Sequence, residues 1–287
     1  MDFEDRFFSA EDGLKLHARI YEPVKELGGT VVCLPGLTRN RRDFHDLALH
    51  LSRKTAMHYR VICMDYRGRG RSEYDPDFTH YNVITEAEDV LTGLAALGVE
   101  HADFIGTSRG GIIIHFLAAM RPSLLKSIVL NDIGPVIEGS GLMQIKAYLE
   151  RGPKPKDWTD AINIQKTLHA REFPALTNRD WEIHAKALYR ETEHGAVVAD
   201  YDPDLIKTLV SIDPAVPLAT LWTQFEGLGR HRLMTIRGEN SKLLSKSTVD
   251  EMAKRHPKMQ LVTVLGQGHA PMLWTAELPE KIAAFLG

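Results

Sequence analysis

The chain is poor in cysteine, with only Cys33 and Cys63 in 287 residues. Two thiols cannot build a disulfide framework, so a reducing cytoplasm is the expected compartment. No run approaches the roughly 18 apolar residues that a membrane-spanning helix requires. Charge of one sign is lacking as well: 35 Lys and Arg against 38 Asp and Glu leave a formal charge of −3. That balance argues against a surface built to hold nucleic acid or anionic lipid. There is no internal repeat and no low-complexity tract. The opening Met1-Asp2-Phe3-Glu4-Asp5 is acidic where a secretory leader would be basic and then apolar, so no leader is expected. What remains is a globular composition, 44% hydrophobic and 25% charged, which excludes a disordered or collagen-like chain. The length suits one large α/β domain with room for an inserted subdomain.

Leu14, Leu16, Ala18 and Ile20 alternate with polar residues, the pattern of a half-buried antiparallel strand. From Thr30 the pattern changes. Val31–Leu34, Val61–Met64, Ser127–Leu130, Leu233–Ile236 and Leu261–Leu265 are short unbroken runs, as expected of strands buried on both faces of a parallel sheet. Ala102–Ile105 stands in the same rhythm. Between the runs lie helical faces. One holds Phe44, Leu47, Ala48 and Leu51; another runs from Val83 to Leu94, with Gly98 placed as a left-handed cap. Ser247 with Asp250 reads as a capping box opening a helix through Lys254. Alternating strand and helix predict a parallel sheet with right-handed crossovers. Residues 136–210 break the rhythm with helical stretches at Leu142–Glu150 and Trp181–Arg190, punctuated by Pro153, Pro155 and Pro174. The expected organisation is a core of 1–135 and 211–287 around a helical insertion at 136–210, the alternation resuming near Pro217.

Gly106-Thr107-Ser108-Arg109-Gly110 matches G-x-S-x-G, between a strand ending at Ile105 and the apolar helical stretch from Gly111. A turn this tight forces its middle residue into strained dihedrals. It leaves no room for side chains two positions away, hence the glycines, and lifts the hydroxyl to a helix N-terminus. Gly106–Gly111 lacks the Lys-Ser/Thr of a P-loop and the spacing of a dinucleotide site. A serine hydroxyl near neutral pH needs a base. Among 13 histidines, His269 follows Gly266-Gln267-Gly268 after the last buried run, at the edge of the sheet that holds Ser108. His17, His45, His50, His58 and His101 sit where solvated or packing roles are expected, and His115 reads as a satisfied core histidine. No His/Cys/Asp/Glu cluster has metal-ligand spacing along the sequence.

With these residues in view, the chain resembles the α/β-hydrolase superfamily, within it the cap-bearing serine esterase and lactonase-like group. Leu34-Pro35-Gly36-Leu37 stands at that family's oxyanion turn. Asp65-Tyr66-Arg67-Gly68-Arg69-Gly70-Arg71-Ser72 resembles its D-x-R-G-x-G-x-S loop, Gly106–Gly110 its nucleophile elbow, and Gly268-His269-Ala270-Pro271 its histidine loop. The resemblance implies an eight-stranded, mostly parallel sheet with helices on both faces and a helical cap. It also implies an oxyanion hole from the amides of Leu37 and Arg109, Pro35 replacing the family's usual histidine without removing a donor. The family's usual acid position falls on Lys242, and a cation cannot serve there. Asp132, at the end of the strand after the elbow strand, is the favoured substitute, with Glu239 the alternative.

The expected function is a cofactor-free serine hydrolase. It would cleave a carboxylic ester, lactone or thioester through Ser108, His269 and Asp132 by way of an acyl-enzyme. A carbon–carbon bond hydrolase of the same fold, acyl transfer to another acceptor, and a catalytically weak receptor kept open by Lys242 are the alternatives. A small molecule is the expected partner, with no nucleic acid, membrane or metal; oligomeric state is unreadable. Tyr148, Trp158, Phe173, Trp181, Tyr189 and Tyr201 are expected mainly to pack the insertion. Trp222 and Trp274 read as core or insertion-contact residues, and the two cysteines as small hydrophobes. Arg67, Arg69 and Arg71, like Arg39, Arg41, Arg42 and Arg109, are expected to be solvated.

Overall fold

The continuous apolar runs become strands whose successive side chains enter two different cores. The computed structural model describes residues 2–25, 28–210, 216 and 218–287. In β3 (Thr30–Leu34), Val32 and Leu34 enter one core while Val31 and Cys33 enter the other. Both faces are dry, so the run has no polar alternation. Each fully buried Val or Leu contributes about 1.5–3 kcal/mol, which is what selects this placement over an exposed one.

The other main-sheet strands are β1 (Glu4–Ser9), β2 (Lys15–Tyr21), β4 (Arg60–Asp65), β5 (Ala102–Thr107), β6 (Leu125–Asn131), β9 (Arg232–Gly238) and β10 (Gln260–Val264). A separate hairpin holds β7 (Tyr189–Glu191) and β8 (Val197–Ala199). The eight strands lie in the order β1-β2-β4-β3-β5-β6-β9-β10, with β2 antiparallel to both neighbours and the remaining pairs parallel.

The helices are α1 (His45–Arg53), α2 (Val83–Ala96), α3 (Arg109–Met120), α4 (Gly139–Arg151), α5 (Trp158–His169), α6 (Asn178–Leu188), α7 (Lys207–Val210), α8 (Trp222–Gly227), α9 (Lys246–Arg255) and α10 (Leu278–Leu286). Leu47 and Leu51 of α1 join Ile282 and Phe285 of α10 in one core. Val90 of α2, Ile114 of α3, Phe225 of α8 and Met252 of α9 fill the other, so helices cover both faces. Gly98 ends α2 at φ +69°, the left-handed cap its position required. Among the described residues no helix is long and apolar enough to cross a membrane.

Three expectations differ from the structure, and one strand is additional. β10 is an edge strand: among the described residues it pairs only with β9, and Leu261 is 48% exposed. The cap of α9 is Ser245, whose hydroxyl accepts from the Thr248 amide at 3.2 Å; Ser247 already lies inside the helix. The helix expected to reach Arg190 stops at Leu188, because Tyr189 turns extended and starts β7. β1 was not among the anticipated strands: its side chains, mostly exposed or half-buried, carry almost no apolar period, and only pairing with β2 defines it.

Between β6 and β9 the chain holds α4–α8 and the β7–β8 hairpin, which sequence patterning did not anticipate. Position 211 and Pro217, where return to the core was expected, lie outside the described residues. The segment carries one cluster of its own, of Ala161, Ala185, Leu188, Tyr189 and Val197, and shares a second with the core, where Phe173 and Trp181 meet Met272 of the loop after β10. Arg42 and Asn40 donate to Ala187 O at the end of α6, and Arg42 pairs with Asp200 at 2.7 Å, tying the segment to the connection between β3 and α1.

Candidate active site

β5 delivers the chain into α3 through one residue, Ser108, at φ +50° and ψ −111°. A side-chain carbon on Gly106 would stand 2.6 Å from the backbone of Gly110 and Gly111, and one on Gly110 only 2.1 Å from Leu34 O. Glycine is therefore required at both positions. The corner is held by the Ser108 amide on Asn131 O at 3.0 Å, and by the Gly111 amide on Ser108 O at 2.9 Å.

His269 meets that corner from the other end of the chain. Its Nε2 lies 2.9 Å from Ser108 Oγ and its Nδ1 2.8 Å from Asp132 Oδ2. A carboxylate only accepts, so Nδ1 carries the proton and Nε2 is the lone pair facing the hydroxyl. The loop bearing His269 is pinned from within: Gln267 is buried, donates to Thr275 Oγ1 at 2.7 Å and accepts from the Met272 amide at 2.9 Å. Asp132 sits just past β6 at φ +54°, with no solvent exposure. Its Oδ1 accepts from the Gly238 amide at 2.8 Å, and its Oδ2 also accepts from Ser241 Oγ at 2.5 Å. Three donors thus fix one carboxylate.

The other acid candidates lie elsewhere. Glu239 accepts from the Gly266 amide at 2.9 Å and braces the histidine loop from outside. Lys242 pairs with Glu172 at 3.0 Å on the rim of the cavity. The Pro35-Gly36-Leu37 loop lies over the serine: a carbon on Gly36 would be 3.9 Å from Ser108 Cβ. Its carbonyls are all engaged, Pro35 O by Tyr66 Oη at 3.2 Å, Gly36 O by the Arg39 amide at 3.1 Å, and Leu37 O by Arg69 Nε at 2.8 Å. Since N–H and C=O point oppositely across a trans peptide, the Leu37 amide faces away from Arg39. Arg109 opens α3, so its amide is among those the helix leaves unpaired.

A cavity of about 470 Å³ connects Ser108 and His269 with Leu37, Arg39, Tyr148, Gln165, Trp181 and His184. Burial, with Arg39 beside it, pushes His184 well below the ordinary histidine range. His169 on the same wall is also lowered by burial. Phe173 and Trp181 pack as expected and also line this space.

Patterning misjudged the arginines. Arg67 is buried and holds Asp89 through two bonds of 2.7 Å, Asp75 at 2.5 Å and Asp12 at 2.8 Å. Arg69 is fully buried against Glu86 at 2.7 Å; only Arg71, 47% exposed, remains near solvent. Arg41 bonds Asp65 at 2.6 Å, Arg39 bonds Asp43 at 2.8 and 2.6 Å, and Arg109 bonds Glu86 at 2.6 Å. Around Arg67 and Arg69 the chain turns at Gly68 and Gly70, which sit at φ +72° and +58°. The acidic partners had a legible signal, since Glu86 falls on the apolar face of α2 beside Ala87 and Val90. Asp12, Asp75 and His80 converge with metal-like spacing, but Arg67 already occupies the gap between the two carboxylates. His17 is buried with Asp65 at 2.8 Å and Asp5 at 3.0 Å. His115 is only half satisfied: Nδ1 donates to Gly111 O at 2.7 Å, while Nε2 makes no hydrogen bond among the described residues.

A sequence profile of the α/β-hydrolase fold matches residues 29–166. The 3-hydroxybutyrate-oligomer hydrolase of Cupriavidus necator is 36% identical over 247 residues, 84% of this chain and 82% of that protein. The 2-(acetamidomethylene)succinate hydrolase of Mesorhizobium japonicum is 26% identical over 254 residues, 88% of this chain and 86% of that one. The crystal structure of an α/β hydrolase from Novosphingobium aromaticivorans superposes with a TM-score of 0.91 at 35% identity, covering 99% of this chain and 98% of the other. The eight-stranded sheet, the motif order and these relatives agree: the chain belongs to the α/β-hydrolase fold family and is a hydrolase.

Proposed function

We propose that the protein cleaves carboxylic esters of small acids through an acyl-enzyme on Ser108. The observation that carries this reading is the hydrogen-bonded row Ser108–His269–Asp132 on a strained corner. In it, His269 Nε2 takes the hydroxyl proton as Ser108 Oγ attacks the acyl carbon. Asp132 holds the Nδ1–H tautomer and stabilises the imidazolium that forms. The tetrahedral oxyanion rests on the amides of Leu37 and Arg109, each worth about 10²–10³ in rate. His269 then protonates the leaving alkoxide, and water activated by the same imidazole releases the acid.

On this reading, residues 136–210 act as a cap that closes the cavity over Ser108, and no cofactor takes part. A cavity near 470 Å³ suits a small ligand. Similarity to the 3-hydroxybutyrate-oligomer hydrolase makes a short linear oligomer of a hydroxy acid the first substrate to try. The two buried, free cysteines suit a cytoplasmic setting. The test combines fluorophosphonate labelling, release of p-nitrophenol from short acyl esters, and acid release from 3-hydroxybutyrate dimers and trimers. Labelling and turnover that vanish together in Ser108→Ala support the reading. A wild-type protein that is neither labelled nor active on any ester sinks it in favour of a receptor.

A further inference from the structure

If the oxyanion rests on the Leu37 and Arg109 amides, something must hold two loops from different parts of the chain in register. One buried group touches the supports of both. We propose that Glu86 is a positioning residue that sets the Leu37 and Arg109 amides from a single carboxylate, an inference that rests on the acyl-enzyme reading above.

Glu86 has no solvent exposure and lies in the first turn of α2. Its Oε1 stands 2.7 Å from Arg69 Nη1 and its Oε2 2.6 Å from Arg109 Nε. Arg69, itself fully buried, donates from Nε to Leu37 O at 2.8 Å and from Nη1 to Arg67 O at 2.7 Å. Arg109 adds a bond from Nη2 to Tyr81 O at 3.2 Å, just ahead of α2. One arm therefore ends on the peptide that follows the Leu37 amide, and the other on the side chain of the residue that supplies the second amide. Two guanidinium groups share one carboxylate, so positioning and electrostatics predict opposite outcomes for its removal. Neutralising Glu86 leaves the pocket more positive, and simple Coulomb attraction would favour an oxyanion. Loss of register would instead misplace the donors, where an error of about 1 Å costs about 100-fold.

The experiment measures kcat and KM on an activated ester for Glu86→Gln and Arg109→Met. It also measures inhibition by a trifluoromethyl ketone, which forms a tetrahedral adduct on serine, and by the product acid. Glu86→Gln is expected to lower kcat and ketone affinity together by about 10- to 100-fold. KM and product-acid affinity should stay close to wild type. Arg109→Met keeps the backbone amide and frees one arm, so about a 10-fold loss with the same split is expected. It also decides the matter alone should Glu86→Gln not fold. Folded variants with unchanged or raised kcat overturn the proposal, as does a loss shared equally by KM and product-acid binding. Ser108→Ala separates the two claims: activity surviving there removes the acyl-enzyme reading, while an inactive Ser108→Ala beside a fully active Glu86→Gln removes only the role of Glu86.

Discussion

Asp132 Oδ2 and His269 Nδ1 are 2.8 Å apart although 137 residues separate them in the chain. The carboxylate is buried and already accepts from Gly238 N and Ser241 Oγ, so it stays aimed at the ring whichever state the ring is in. Glu239 and Lys242, the other residues near the expected acid position, spend their contacts on Gly266 and Glu172.

Asp132→Asn should therefore lower kcat for ester hydrolysis by about 10⁴-fold, because the amide cannot hold the Nδ1–H tautomer. Glu239→Gln and Lys242→Ala should remain close to wild type. Steady-state kinetics on one p-nitrophenyl ester decides the matter, and a large kcat loss confined to Glu239→Gln would reassign the acid.

The elbow glycines differ from other glycines in what surrounds them. Gly110→Ala drives a methyl to 2.1 Å from Leu34 O and should cost at least about 3 kcal/mol. Gly227, at φ −60° with nothing within 4 Å, should accept alanine and gain about 0.4–1 kcal/mol from the less flexible unfolded chain. Urea unfolding of the two variants measures the contrast; equal midpoints would mean that the corner relaxes.

Arg67 compensates three carboxylates, two of them buried. Arg67→Met leaves those charges without their partner and should destabilise by about 3–5 kcal/mol. A solvated arginine would have shown almost no effect in the same thermal or denaturant melt.

Burial holds the His115 imidazole down to about 4, below its ordinary value of 6.5. Between those values the unfolded chain binds a proton that the folded one does not, so stability falls as pH drops below 6.5. The contribution of this one group is a loss of about 2 kcal/mol by pH 5. Melting curves from pH 7.5 to 4.5 should show His115→Leu with a shallower fall than wild type. Parallel curves would show that the ring is protonated without cost.

Local pattern carried much of the architecture. Val31-Val32-Cys33-Leu34 reads as a strand dry on both faces because period-two geometry sends adjacent residues into opposite cores. β10 misled the same reasoning: Leu261 and Val262 are as apolar as any core pair, and only the strand's place at the end of the sheet exposes Leu261. Ser245 displaced Ser247 as the α9 cap because both hydroxyls suit the role and backbone geometry chooses between them.

What the residues determine alone is whatever a few neighbours can impose: strand and helix periods, the left-handed Gly98, and the crowding that demands glycine on either side of Ser108. What the tertiary structure decided is which distant groups share an unsolvated space. No local rule distinguishes an arginine that will be surrounded by Asp12, Asp75 and Asp89 from one that faces water. Charge pairing acts over a few ångströms in space, while a sequence measures only separation along the chain.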